Sequence, residues 1–298
     1  MKKVLITGIT GYIGSQLAKT LTSHCVVYGL VRQPLNAAYL SPELQKQLTL
    51  FPCDGGAESV LAALRSSRPD VVYHLAAHYT TAHDMDAISR LIASNLSFGA
   101  YLLEAMRELH CNRLVYATTV TTHRAQAEYH PRSLYAATKQ AFTDLVEYYT
   151  GIGPLHAAGV ALSDTYGPGD QRPKILNLIR RAIMESAPLD LTSGRQVFDA
   201  VFIDDVVRGL VCAANATEYA EKAHQIFQLS SLEPYTLRDT VALLLRANGL
   251  KLEANWGRLP DPDSLAERPI QIYPTPPDWK PEITREDGLR LFWNQNTV

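Results

Sequence analysis

A tyrosine and a lysine stand four residues apart in the segment Ser133-Leu-Tyr-Ala-Ala-Thr-Lys139. In a helix, residues at this spacing lie on one face, so the ammonium of Lys139 would stand beside the phenol of Tyr135. A nearby positive charge favours the phenolate, and we therefore expect the pKa of Tyr135 to fall below its ordinary value of about 10. Such a phenol can exchange a proton with an alcohol or sugar oxygen near neutral pH.

Three glycines follow an apolar strand at the start of the chain, in the segment Val4-Leu-Ile-Thr-Gly-Ile-Thr-Gly-Tyr-Ile-Gly14. They form a GxxGxxG pattern at a strand-to-helix turn, where the helix N-terminus can bind a dinucleotide pyrophosphate. A tight turn that binds no phosphate is the alternative. Together with the Tyr–Lys pair, the glycines predict an oxidoreductase that uses a nicotinamide dinucleotide. The cofactor contacts expected in this turn are Gly8, Thr10, Gly11, Tyr12, Ile13 and Gly14.

Two charged residues follow the second and third expected strands. Enzymes that use NAD usually have an acidic residue at the end of the second strand, whereas this chain has Val31-Arg32. A guanidinium suits the 2′-phosphate of NADP(H), so Arg32 predicts that cofactor unless it is an ordinary surface arginine. Asp54 can accept a hydrogen bond from the adenine amino group, and a turn-forming aspartate beside two glycines is the equal alternative.

Strand-like and helix-like segments alternate through the first half of the chain, which predicts an α/β fold: a Rossmann doubly wound parallel sheet. From Tyr166 onward the pattern loosens and predicts a smaller, interleaved C-terminal lobe. We assign residues 1–165, with returning segments at about 198–230, to an NADP-binding domain, and residues 166–197 and 231–298 to a substrate-binding lobe. The expected strands are Val4–Thr7, Val26–Val31, Leu48–Cys53, Val71–Leu75, Arg113–Ala117 and Gly159–Leu162, the expected helices are Gly14–Ser23, Met85–Leu109, Tyr135–Tyr149 and Ile175–Ala187, and the segments expected to return to the main sheet are Phe198–Ala213 and His224–Leu229.

Composition limits the class of protein. The 298 residues, 46% hydrophobic and 19% charged, are typical of a globular protein. The formal net charge of −2 gives no electrostatic reason to expect nucleic acid or an anionic membrane as a partner. We expect no membrane helix and no signal peptide, because neither a long apolar run nor a cleavage site is present. The cysteines (Cys25, Cys53, Cys111 and Cys212) are scattered without a CxxC pair, so we expect free thiols in a cytoplasmic protein.

An ordered set of motifs extends along the chain: GxxGxxG, Asp54, Leu75-Ala-Ala77, Asn95, Thr118-Thr119, YxxxK, Tyr166-Gly-Pro168 and Trp279-Lys-Pro281. This set resembles the extended short-chain dehydrogenase/reductase family over nearly the whole chain. Within that family, Leu191-Thr-Ser-Gly194 and the short stretch before Tyr135 are most similar to the nucleotide-sugar branch, and there to 4-keto-6-deoxysugar reductases of the CDP-paratose and CDP-abequose synthase type.

The resemblance implies reduction of a keto group by NADPH on a nucleotide-linked deoxysugar, with Tyr135 as general acid and Lys139 binding the nicotinamide ribose. Thr119, favoured over Thr118 by the family register, would hold the substrate oxygen. Two further reactions are alternatives: a nucleotide-sugar 4-epimerase that retains NAD, against which Arg32 argues, and a 4,6-dehydratase. The dehydratase is disfavoured, because an Asp-Glu pair would follow the threonine, whereas Val120-Thr-Thr-His123 follows Thr119 here. A non-catalytic dinucleotide sensor is a further alternative. The family contacts to the cofactor map onto Leu75, Ala76, Ala77, Asn95, Tyr135 and Lys139.

The resemblance also implies a homodimer, since the family commonly pairs the helices that match Met85–Leu109 and Tyr135–Tyr149. Apolar residues are numerous enough on the first of these segments to cover both a sheet and a partner. They are Leu91, Ile92, Leu96, Leu102, Leu103 and Met106.

Two positions depart from the family pattern for binding a substrate diphosphate. Asp164 stands where the family often has asparagine, and Phe198 stands where it often has arginine. Arg268, which precedes Pro269, matches a third phosphate contact of the family, and other cations could compensate for the losses. His74, His78 and His83 are interpreted as residues near a substrate cleft, with metal binding as the weaker alternative, because no other ligand pattern accompanies them. The expected substrate-binding residues are His78, Asp164, Lys174, Arg195 and Arg268.

Overall fold

The computed structural model describes residues 1–123, 129–218, 221–231, 233, 235–261 and 271–294. The strands are β1 Lys2–Thr7, β2 Cys25–Val31, β3 Thr49–Pro52, β4 Val71–His74, β5 Arg113–Thr119, β6 His156–Leu162, β7 Asp164–Tyr166, β8 Leu189–Leu191, β9 Ala200–Phe202, β10 His224–Leu229 and β11 Ala254–Trp256. The α-helices are α1 Tyr12–Leu21, α2 Pro42–Gln45, α3 Ala57–Ser67, α4 Met85–Ile92, α5 Phe98–Glu108, α6 Leu134–Ile152, α7 Ile175–Glu185, α8 Ile203–Ala216, α9 Leu237–Asn248 and α10 Arg285–Asn294.

In this described part of the chain, seven strands form one parallel sheet in the order β10-β6-β5-β4-β1-β2-β3. The sheet is covered on both faces, because alternate residues of β1 belong to two different cores. Ile6 packs in the core that contains Leu17 of α1 and Val207 of α8. Leu5 packs on the opposite face with Leu103 of α5 and Phe142 of α6. The predicted Rossmann-type parallel sheet is therefore confirmed.

The strand order places a ligand site at one particular edge. β1 pairs with β2 on one side and with β4 on the other. Successive strands are therefore added on one side of β1 up to β3 and on its other side from β4 onward, which makes β1 the switch point of the topology. In open parallel sheets, ligands bind beyond the carboxyl ends of the strands at such a switch point. The glycine-rich turn follows β1 directly and lies at this point.

The segment expected to be one helix, Met85–Leu109, is divided. The two α-helices α4 and α5 are separated by a π-helical turn, Ala93–Ser97. A π-helical turn contains an additional residue per turn and is frequent at functional sites. Here it contains the buried Asn95.

Only one of the two segments expected to return to the sheet does so as a strand. β10 joins the main sheet beside β6, as predicted. The segment Phe198–Ala213 instead contributes β9, which pairs with β7 in a separate two-stranded sheet, and most of α8, which packs against the main sheet. β8 and β11 form another two-stranded sheet. The proposed division into a cofactor domain and a substrate lobe stays a prediction.

Most of the apolar residues expected to contact a dimer partner are buried in the core of the chain itself. Leu91, Leu102, Leu103 and Met106 are fully buried, whereas Ile92 is 40% exposed. The exposed apolar side chains on α4, α5 and α6 are Met85, Ile92, Tyr101, Tyr148 and Ile152. Among the helices described, none combines the length and the apolar character required to cross a membrane.

Candidate active site

Helix α6 positions the tyrosine and the lysine. Its N-cap is Ser133, whose hydroxyl accepts a hydrogen bond from the Ala136 N–H at 3.2 Å, so the helix begins one residue before Tyr135. Lys139 lies one turn further along and is only 2% exposed. Its Nζ lies 5.9 Å from the centroid of the Phe142 ring, and Phe142 packs in the core against one face of the sheet.

The expected lowering of the phenol's pKa does not occur in this structure. Burial raises the pKa of Tyr135 to about 12, and the neighbouring Tyr79 adds to the rise. Burial also lowers the pKa of Lys139 to about 8. The sequence-based expectation is wrong here because both groups are desolvated, and the cost of charging a phenol in an apolar environment exceeds the benefit of a cation one turn away.

Thr119 is the last residue of β5 and is almost completely buried. Its Oγ1 lies 2.9 Å from Oγ1 of Thr121 and accepts a hydrogen bond from the Thr121 N–H at 3.2 Å. These contacts organise a 3-10 turn, Val120–Thr122, which contacts α6. Two hydroxyls, and not one, therefore lie at the edge where α6 begins. Thr121 is a candidate that sequence reasoning missed.

Asn95 joins three segments around the Tyr–Lys helix. Its Oδ1 accepts a hydrogen bond from the His78 N–H at 2.8 Å, and its Nδ2 donates to the His78 carbonyl at 3.0 Å. The same Nδ2 lies 3.0 Å from Oγ1 of Thr138, which donates to the Tyr135 carbonyl at 2.8 Å. Asn95 is therefore a structural link between the loop after β4 and the turn that carries Tyr135.

A second tyrosine stands beside the first. The rings of Tyr79 and Tyr135 pack edge to face, with centroids 5.1 Å apart and an interplanar angle of 79°. Sequence reasoning did not identify Tyr79, because no motif includes it. Its neighbour His78 was predicted to bind substrate and lies in the same loop, half-buried.

The glycine-rich turn has the geometry that a phosphate seat requires. Gly8 has a φ of +72°, and a Cβ placed on it would lie 2.6 Å from the Ala76 nitrogen. A Cβ on Gly14 would lie 2.2 Å from the Gly8 carbonyl oxygen. The first turn of α1 can therefore lie this close to the glycine-rich turn only if residue 14 is glycine. Gly11 is the N-cap of α1, and no side chain caps the first turn. The N–H groups in the first turn of α1 are thus available to an anion, and the glycine-rich turn fits a dinucleotide pyrophosphate.

The loop Leu75–Ala77 is attached to this turn by β1. The Leu75 N–H donates to the Thr7 carbonyl at 3.1 Å, and the Ala76 N–H donates to Oγ1 of Thr7 at 3.2 Å. Oγ1 of Thr7 also lies 2.8 Å from Nδ1 of His74. Burial lowers the pKa of His74 to about 3, and the nearby charge of Lys139 contributes to the decrease, so this imidazole is neutral.

The loop that follows β7 is fastened to the start of α1. Tyr12 Oη donates to the Pro168 carbonyl at 3.1 Å, and the Arg172 guanidinium carbon lies 4.8 Å from the centroid of the Tyr12 ring. The Gln171 N–H donates to Oη of Tyr39 at 3.1 Å. The glycine turn, the loop after β2 and the loop after β7 are therefore in contact with one another at the start of α1.

The two residues expected at the adenosine end differ in their surroundings. Arg32 is exposed directly after β2. Asp54 follows β3, and its Oδ1 accepts hydrogen bonds from the Gly56 N–H at 2.8 Å and the Ser59 hydroxyl at 2.6 Å. These bonds lower the pKa of Asp54. Asp54 therefore forms the turn, and its contact to the adenine amino group stays a prediction, since the bonds described use only one of its two oxygens.

The substrate-side residues are distributed more widely. Lys174, at the N-cap of α7, donates to Oδ1 of Asp164 at 2.5 Å. Arg195 lies on an exposed loop with Nη2 3.7 Å from Oδ2 of Asp261. Phe198 is buried and cannot replace a cation. Arg268 lies outside the described residues.

The predicted histidines do not form a metal site in the part of the chain that the structure covers. His74 is bonded to Thr7, and the backbone of His78 is bonded to Asn95. Across the described ranges, no three His, Cys, Asp or Glu side chains are grouped in a way that could hold a metal ion.

Comparison with known proteins gives the family. The sequence pattern of the NAD dependent epimerase/dehydratase family matches residues 4–228, which is most of the chain. The chain therefore belongs to this family, whose members are NAD-dependent enzymes. This supports the predicted relation to nucleotide-sugar enzymes of the extended short-chain type.

Relatives within the family have different names. The chain is 23% identical to CDP-abequose synthase of Yersinia pseudotuberculosis, over 89% of this chain and 91% of that protein. It is 24% identical to UDP-glucuronate 4-epimerase of Thermodesulfobacterium geofontis, over 99% and 96%. The crystal structure of UDP-glucuronic acid 4-epimerase from Bacillus cereus in complex with NAD matches with a TM-score of 0.81 at 22% identity, over 99% of this chain and 98% of that one. The last likeness establishes the fold.

Proposed function

We propose that this protein is a nucleotide-sugar 4-epimerase that retains NAD and uses Tyr135 to move the proton of a sugar hydroxyl. The observation that carries the proposal is the arrangement at the carboxyl edge of the sheet, where Tyr135, Lys139 and the Thr119–Thr121 hydroxyl pair adjoin a fitting pyrophosphate seat. Several relatives, among them the proteins from T. geofontis and B. cereus, are named as 4-epimerases of UDP-glucuronic acid. Their names support this reaction over others on the same residues.

Each residue of the chain has a defined task in such a reaction. Tyr135, in its phenolate form, accepts the proton of the substrate hydroxyl and later returns it to the same oxygen, after the sugar has presented its other face. The hydroxyls of Thr119 and Thr121 hold that oxygen while its charge changes. Lys139 supplies a positive charge that favours the phenolate, and Asn95 keeps the loop after β4 in register with α6. The cofactor, when bound, supplies the acceptor and donor of hydride.

A second candidate is a reductase that consumes NADPH on a nucleotide-linked keto sugar. Two observations favour it. Arg32 presents an exposed guanidinium where a 2′-phosphate would lie. Burial keeps the Tyr135 phenol protonated at neutral pH, and the protonated form is the one that a proton donor needs. The relative named CDP-abequose synthase agrees with this candidate.

One experiment separates the two candidates. The purified protein is denatured, and the released nucleotide is identified by chromatography as NAD(H), NADP(H) or neither. The native protein is then incubated with UDP-glucuronic acid, UDP-glucose and a CDP-linked 4-keto-6-deoxysugar, without cofactor and with NADPH. Proton NMR detects a C4 epimer, and absorbance detects NADPH consumption. Tyr135→Phe serves as the matched control, because it removes only the phenolic oxygen.

An epimerase releases stoichiometric NAD(H) and converts a UDP-sugar to its epimer without added cofactor. A reductase releases little nucleotide and consumes one NADPH for each keto sugar reduced. Turnover of none of these sugars, together with activity on a small carbonyl compound that lacks a nucleotide, would refute both nucleotide-sugar candidates.

A further inference from the structure

The loop after β4 presents an aromatic ring to the solvent directly beside Tyr135. Tyr79 is 68% exposed, although its ring packs edge to face against Tyr135 with centroids 5.1 Å apart. Tyr135 is the more buried of the two. The ring of Tyr79 therefore lies directly beside Tyr135 and is open to a molecule that approaches from solvent.

Tyr79 is held in this position by the network around Asn95. The residue before it, His78, has both its N–H and its carbonyl bonded to the Asn95 side chain. Asn95 contacts Thr138, which in turn bonds the Tyr135 carbonyl. The loop after β4 and the first turn of α6 are thereby fixed to each other. An exposed tyrosine on a fixed backbone is a preorganised surface, because little conformational entropy is lost when a ligand covers it.

We propose that Tyr79 forms the outer wall of the substrate site and packs against the C–H face of the sugar ring whose oxygen meets Tyr135. This role rests on the proposed function, in which the substrate is a sugar. One face of a hexopyranose is lined largely by C–H groups, and an aromatic ring is a suitable surface for it. The wall would favour six-membered sugar rings over open-chain carbonyl compounds, which offer no such face.

The test compares four proteins, each carrying its cofactor: wild type, Tyr79→Phe, Tyr79→Ala and Tyr148→Ala. Tyr148 is a matched control, since it is 60% exposed and lies near the other end of α6. Calorimetry measures the binding of UDP-glucuronic acid and of UDP, the same nucleotide without the sugar. Where wild type turns over the sugar nucleotide, KM and kcat are measured for all four proteins.

Loss of the ring in Tyr79→Ala should weaken binding of UDP-glucuronic acid about tenfold and raise KM similarly, as expected for an uncovered aromatic face. In Tyr79→Ala, the affinity for UDP and kcat should change less than about twofold. In Tyr79→Phe and Tyr148→Ala, every one of these constants should change less than about twofold. If Tyr79 only braces Tyr135, kcat falls in Tyr79→Ala while KM and sugar binding stay unchanged, and the proposal is wrong.

The binding measurements separate this inference from the proposed function. Wild type that binds UDP-glucuronic acid without converting it contradicts the epimerase reaction but leaves the role of Tyr79 measurable. Equal affinities of wild type and Tyr79→Ala for the sugar nucleotide overturn the role of Tyr79 alone. If wild type binds UDP-glucuronic acid no more tightly than UDP, the proposed contact between Tyr79 and the sugar is also overturned.

Discussion

Replacing Lys139 with methionine should make the protein more stable while it damages turnover and cofactor binding. Lys139 is 2% exposed, and the contact described for its ammonium is the Phe142 ring at 5.9 Å. Burying a charge with so weak a partner is costly. Methionine has a similar length and no charge, so the substitution removes the cost without leaving a large cavity. Active sites commonly retain such unfavourable groups for function.

The magnitude follows from the pKa. Lowering the pKa of Lys139 from 10.5 to about 8 corresponds to roughly 3 kcal/mol against the charged form, at about 1.4 kcal/mol for each tenfold change in proton affinity. Relaxation and water penetration reduce such penalties, so we expect Lys139→Met to raise the free energy of unfolding by about 1–3 kcal/mol near pH 7.

The sign of the pH dependence is fixed by the same values. Below pH 8 the lysine is charged in both the folded and the unfolded chain, and the folded state carries the whole penalty. Between pH 8 and 10.5 the unfolded chain binds more protons than the folded one, so the wild-type protein gains stability as the pH rises. The advantage of Lys139→Met should therefore fall to roughly half by about pH 9.5.

Urea denaturation of cofactor-free protein measures this effect, because bound cofactor would add its own stabilisation to the wild type. Lys46→Met is the matched control. Lys46 is exposed at the end of α2, so its replacement should change stability by less than about 0.5 kcal/mol. A Lys139→Met protein that is less stable than wild type near pH 7 would refute the reasoning, since the ammonium would then have a strong partner in the folded state.

Further expectations concern the catalytic group, the cofactor, the assembly and the substrate charge. Tyr135→Phe should abolish turnover but leave cofactor affinity within about twofold by calorimetry, since only a proton carrier is lost; substantial remaining activity would exclude Tyr135 as that carrier. For the reductase candidate, Arg32→Ala should weaken NADPH binding more than NADH binding, as a guanidinium contact to a 2′-phosphate requires; wild type that prefers NADH would contradict that candidate and agree with the epimerase. Light scattering at micromolar concentration should give a dimer mass, with α4, α5 and α6 at the interface, and a monomer mass would count against this. Asp164→Asn should lower KM for a nucleotide diphosphate sugar severalfold, because it removes a negative charge and releases Lys174; an unchanged KM would place this pair away from the diphosphate.

The positions of the site residues could be predicted where they depend on local pattern. The glycine turn follows an apolar strand, and Tyr135 follows an N-cap serine by two residues, so both could be assigned to the carboxyl edge from sequence. The pKa of Tyr135 could not, because burial depends on distant segments that cover α6. The orientation of Asn95 was equally inaccessible, since a π-helical turn is specified by tertiary packing and has no periodic sequence signal.

The substrate side shows a different limit, because a family pattern identifies a changed residue but not its new partner. Asp164 alone suggests repulsion of a diphosphate, whereas the structure pairs it with Lys174. Both side chains of this pair are partly exposed, at 45% and 40%, and such ion pairs are worth about 0–1 kcal/mol. A diphosphate with about two negative charges can therefore draw Lys174 away from Asp164 at small cost. The released carboxylate is then able to accept hydrogen bonds from sugar hydroxyls. The departure from the family pattern is thus compatible with a nucleotide-linked substrate, because Lys174 lies beside Asp164 and can supply a cation to the diphosphate.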